Sequence, residues 1–172
     1  MKFPSIFLPV VMPDLRPLPS KSKQSGLPLY LLMSDFIVYI DGIKIIIPAG
    51  FITDLASVPW GFRNTFYPGD HQTAAASLIH DFFYAAEILK RTESDKVFYA
   101  VLIYVGVDGP KEKPMFLAVF FFGWGTYRKH TADSIKKIRD LFGIDSMKRP
   151  LFNSVNELSK LWEMSIYYKG KA

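Results

Sequence analysis

The pattern of apolar and polar positions changes character several times along the chain. From Leu29, "YLLMSDFIVYIDGIKIIIPAGFITD" alternates β-branched and aromatic residues with polar ones, and Asp41-Gly42 between two such runs predicts a two-residue hairpin turn. Strands are expected near 29–33, 36–40, 43–47 and 50–53. The period then lengthens. In "HQTAAASLIHDFFYAAEILK" the residues Ala74, Ala75, Leu78, Phe82, Ala85 and Leu89 form one stripe at helical spacing, with Asp70 placed to cap the first amides. At 100° per residue, Thr73, Ser77, His80, Tyr84 and Glu87 fall on a second narrow face with Asp81 at its border. A further helix is expected from "RTESDKVFYAVLIYVG", where Thr92 and Asp95 have capping-box spacing and Gly106 provides the stop. Helices near 132–142 and 154–168 follow, the second with Ser154 and Glu157 again at capping-box spacing. Strands first and helices after define an α+β plan: a small antiparallel sheet packed with a helical bundle.

Composition divides the chain further. Residues 1–28 hold six of the twelve prolines and a "SKSKQSG" stretch, which predicts an extended or disordered arm outside the core. Residues 29–130 form the expected core domain and 131–172 a basic helical extension. Residues 1–107 contain nine basic and nine acidic side chains, whereas residues 108–172 contain twelve and seven. The whole excess behind the net charge of +5 therefore lies at the C-terminal end, which suits an anionic partner such as nucleic acid or a membrane surface. A merely solvated helical face has the same composition. The longest apolar run, "MFLAVFFFGWG" from Met115, is too short to span a bilayer, and Pro4, Pro9 and Pro13 break the N-terminal stretch where a secretion signal would lie. No membrane-spanning helix is expected.

The absence of cysteine leaves histidine, carboxylates and hydroxyls as the chemistry available. Asp54, His80, Asp81 and Asp95 are the candidate ligands for one divalent ion, Zn²⁺ or Mn²⁺, whose bound water would be the nucleophile. Asp54, His80, Tyr84 and Glu87 are the candidate catalytic residues, with Tyr84 or Glu87 as acid–base partner or substrate hydrogen-bonding group. His71, His80-Asp81 and Asp95 share the residue types of HD-type phosphohydrolases, but their spacing is too short. Neither Ser57 nor Ser77 lies in a nucleophile-elbow sequence. Structural uses exist for the same residues: an Asx-type turn at Thr53-Asp54, a loop cap at Ser57 before Pro59, a capping box at Thr92–Asp95, and Arg91 paired with Asp81 or Asp54.

The segments "PAGFITDLASVP", "HDFFY" and "SDKVF", with Arg91 and Gly106-Val107, resemble the domain-of-unknown-function family 1353, found mostly in bacteriophages and prophages. Ser94 stands where that family usually has alanine. The resemblance covers about residues 30–125. It implies a phage or prophage origin and a fold, without a settled activity; location in the virion or the host cytoplasm, and virion proteins among the candidate partners, are expected alongside. Two functions are expected from this: a metal-dependent hydrolase of a phage-relevant polymer, peptidoglycan or nucleic acid, or a non-catalytic virion or accessory protein that binds through its basic C-terminal third.

Overall fold

The computed structural model describes residues 3–19, 28–55, 73–107, 116–117 and 132–141. Among these, six strands precede three helices: β1 Ile6–Phe7, β2 Leu15–Pro17, β3 Tyr30–Leu32, β4 Phe36–Ile40, β5 Ile43–Ile47, β6 Ile52–Thr53, α1 Ala74–Ala86, α2 Arg91–Tyr104 and α3 Ala132–Leu141. The α+β plan holds, but with two three-stranded antiparallel sheets in place of one, ordered β1-β4-β5 and β2-β3-β6.

The hairpin is where the Asp-Gly pair places it. Asp41 and Gly42 both have positive φ (50° and 81°), the primed-turn geometry whose twist matches the flanking strands, and Ile40 pairs with Ile43. That register sets Phe36, Val38 and Ile40 beside Ile47, Ile45 and Ile43 on one face of the sheet, and all but Ile43 are buried. The other face carries Tyr39 opposite Lys44. A one-residue slip would exchange the two faces, so burial itself fixes the register.

The proline-rich arm is extended, as its composition requires, but the expectation that it lies outside the core needs correction. Ile6 and Phe7 pair with Ile40 and Tyr39, Leu15–Pro17 pair with Tyr30–Leu32, and Leu8 joins the hydrophobic core. Proline is compatible with an edge strand, where a missing amide leaves no partner unmet. Asp41 fastens this segment, because its carboxylate accepts from both the amide and the hydroxyl of Ser5, at 2.7 and 3.0 Å. The arm also explains the second sheet: β1 extends β4 while β2 extends β3. Asp35, between β3 and β4, accepts from the Ala49 amide between β5 and β6 at 2.8 Å, and so ties together two of the three places where the chain changes sheets among the described strands.

α1 is buried almost all round, with Asp81 as the sole residue of the helix that is not. It contacts α2, α3 and β6, so the single apolar stripe seen in its sequence understates its environment. Phe82, Phe83 and Phe98 are fully enclosed, and each contributes about 1.5–3 kcal/mol by leaving water. α2 ends in a Schellman motif: Gly106 (φ 77°) donates to Ile103 O, and Val107 donates to Leu102 O. No described helix is long and apolar enough to cross a membrane. The expected caps at Ser57 and Asp70, His71, the aromatic segment beyond Leu117 and the helix near 154–168 lie outside the described residues.

Candidate functional site

Two helices and a short strand position the polar residues singled out in the sequence. His80 and Tyr84 lie one turn apart on α1, with ring centroids 3.9 Å apart, and the His80 ring also meets Phe98 of α2 at 5.1 Å. Directly across is Asp95, 0% exposed, on the buried face of α2. Its Oδ1 accepts from the Tyr84 hydroxyl and lies 3.1 Å from His80 Nε2. A carboxylate only accepts, so this contact places the imidazole proton on Nε2 and leaves Nδ1 as the ring's basic nitrogen. Among the described residues Nδ1 makes no hydrogen bond.

Asp95 Oδ2 has no hydrogen bond, and the Arg91 guanidinium one turn earlier on α2 lies 3.9 Å from it. The capping box expected at Thr92–Asp95 is not formed. Lys90 is the N-cap and makes no side-chain bond, so Thr92 already lies inside the first turn and Asp95 turns inward to α1. The four-residue spacing from Arg91 to Asp95 is the signal for this contact, which the pairing of Arg91 with Asp81 or Asp54 expected from the sequence did not include.

Asp81 points to a different neighbour. Its Oδ2 accepts from the hydroxyl of Thr53 on β6, and the same hydroxyl accepts the Leu55 amide at 2.9 Å. Leu55 is buried with φ 56°, a left-handed conformation that costs a leucine about 1–2 kcal/mol. Asp54, half-buried, sits between these two anchored residues. Thr53 appeared in the sequence only as part of a turn; its role as the partner of Asp81 depends on strand–helix packing that no local pattern records.

Glu87 departs from the helical face on which its spacing set it. It is itself left-handed (φ 43°, ψ 52°) and closes α1 in a Schellman motif, its amide donating to Tyr84 O and the Ile88 amide to Phe83 O. Beyond Ala86 the 100° rotation no longer applies, so extrapolating the face fails by this one residue. The structure therefore gathers His80, Tyr84, Asp95 and Arg91 in one cluster, sets Asp81 against Thr53 beside Asp54, and puts Glu87 in the cap. Among the described residues no three histidine or carboxylate side chains are gathered as a ligand set for a metal.

Two antiparallel sheets, a buried central helix and a His–Asp–Tyr cluster between α1 and α2 thus define an α+β protein. The chain belongs to the family described as "Protein of unknown function (DUF1353)", whose model matches residues 30–119, more than half of the 172 residues. That span contains every element from β3 to α2, and with them the whole cluster. Neither the curated proteins nor the solved structures contain a match to this chain.

Proposed function

We propose that this chain is a hydrolase in which His80, held by Asp95, takes a proton from the attacking water, and that it acts on a phage-relevant anionic polymer, peptidoglycan or nucleic acid. The observation that carries the reading is the Asp95 carboxylate behind His80. It orients the ring through Nε2, stabilises the imidazolium formed on protonation, and leaves Nδ1 for the reaction, an arrangement common to general bases. A histidine backed by a carboxylate is equally the arrangement of a metal-ligating imidazole. A Zn²⁺ or Mn²⁺ ion on Nδ1 is accordingly part of the proposal. The excess of basic residues after position 107 supports an anionic substrate.

The test is turnover of purified peptidoglycan sacculi and of single-stranded DNA, with His80→Gln as control. The glutamine amide can keep the donation to Asp95 while removing the base. General-base catalysis is worth about 10²–10⁴-fold, so the wild type should turn over one substrate and His80→Gln should lose at least the lower figure. Metal analysis before and after the substitution tests the ion: about one per chain, lost with His80, places Nδ1 among its ligands.

The second reading, a non-catalytic virion or accessory protein, is favoured by the burial of the cluster, with His80 5% and Tyr84 3% exposed. Wild type inert on both substrates, together with a His80→Ala variant that melts well below it, would establish that reading instead.

A further inference from the structure

We infer that Asp81 is a positioning residue: through the Thr53 hydroxyl it holds the left-handed turn at Leu55 and so fixes where Asp54 is presented, beside the helix turn that carries His80. The inference rests on the hydrolase reading above and assigns the neighbouring carboxylates distinct tasks. Asp81 follows His80 directly on α1 and reaches across to β6. Thr53 stands between them as a two-way link, its hydroxyl donating to Asp81 and accepting from the Leu55 amide. Leu55 is locked on its other side by burial of its side chain, 1% exposed in the hydrophobic core. Asp54 is therefore clamped through both adjacent residues.

A leucine does not adopt positive φ unless its surroundings enforce it, and such conformations persist where packing over-determines them. Here the enforcing bond comes from the helix that carries the proposed base. The backbone at Asp54 and the ring at His80 are thereby referred to one rigid element, which limits their relative drift. Aligning a second carboxylate with a general base demands this of a fold, because a displacement of about 1 Å can cost on the order of 100-fold in rate.

The test uses the full chain with Thr53→Val, which removes the hydroxyl at nearly constant shape, and Thr53→Ser, which restores it. Amide hydrogen exchange read by NMR reports the turn directly. In Thr53→Val the Leu55 amide should exchange at least about tenfold faster while the β4 amides are unchanged, since the opening is local. On the substrate that the wild type turns over, sacculi or single-stranded DNA, kcat should fall about 100-fold with KM nearly constant. Thr53→Ser should recover both quantities. Unchanged Leu55 exchange in Thr53→Val would overturn the latch. Faster exchange with wild-type kcat, while His80→Gln is inactive, would overturn the positioning role and leave the general-base reading standing. A wild type inert on both substrates refutes that reading before any variant is compared, and the positioning role falls with it.

Discussion

Replacing Asp95 with alanine removes the acceptor shared by two enclosed donors, His80 Nε2 and the Tyr84 hydroxyl, and the charge opposite Arg91. Each donor left without a partner costs about 1–3 kcal/mol. Removing a carboxylate oxygen that had no hydrogen bond returns part of the resulting sum of about 2–6 kcal/mol, so a net loss of about 1–4 kcal/mol is expected. Asp95→Asn keeps the shape and one acceptor oxygen but loses the charge that strengthens both bonds, so about 1–2 kcal/mol is expected. Urea unfolding monitored by circular dichroism reads these values, with unchanged slope showing that only stability has moved. The decisive control is a cycle with Tyr84→Phe. If Tyr84 and Asp95 bond directly, the phenylalanine change should matter much less in the Asp95→Ala background, with a coupling of at least about 0.5 kcal/mol. An Asp95→Ala chain within about 0.5 kcal/mol of wild type, or strictly additive variants, would refute the buried cluster.

Other parts of the fold give equally direct tests. Gly106→Ala adds a methyl group into open space at φ 77°, so its cost of about 1–2 kcal/mol is purely conformational and should appear in the same urea titration. Asp41→Ala loses both bonds from Ser5 and places alanine at φ 50°; about 1–3 kcal/mol should be lost, and Ser5→Ala should lose less. Deleting residues 1–9 unpairs β1 from β4 and uncovers Ile40, so the melting temperature should drop by several degrees; an unchanged value would show the arm to be dispensable.

What the sequence makes legible is what depends on neighbours in the chain. Asp41-Gly42 specifies a turn that few other pairs can make, and the β-branched runs on either side supply the alternation, so the β4–β5 hairpin could be read residue by residue. The Gly106 stop is legible for the same reason. Pairings across the chain are not. Nothing local distinguishes a proline-rich tether from a proline-rich edge strand, because both need extended backbone; the difference lies in Tyr39 and Ile40, some thirty residues away. The candidate site divides in the same way. His80 and Tyr84 share a face by helical geometry alone, but Asp95 had two uses compatible with its spacing. Which one it takes depends on the start of α2 at Arg91, a shift of two residues that sequence patterns do not resolve.

The arrangement also explains how polar residues dispersed along the chain come to lie close together. Thr53 on β6, His80, Asp81 and Tyr84 on α1, and Arg91 and Asp95 on α2 belong to three elements whose apolar faces alone would allow sliding, since hydrophobic contact is not directional. The Thr53–Asp81 bond registers β6 against α1, and the Asp95 bonds register α2 against the same helix less than one turn away. Satisfied polar contacts inside a core specify a unique arrangement because each mispaired alternative strands a buried donor or acceptor. A structural role for the cluster and a catalytic one are therefore not opposites: the bonds that register the elements are those that would orient His80 Nδ1 and the Asp54 turn. Their separation is kinetic. Thr53→Ser and His80→Gln both preserve the registering bonds, and only the second removes a group that a reaction could use.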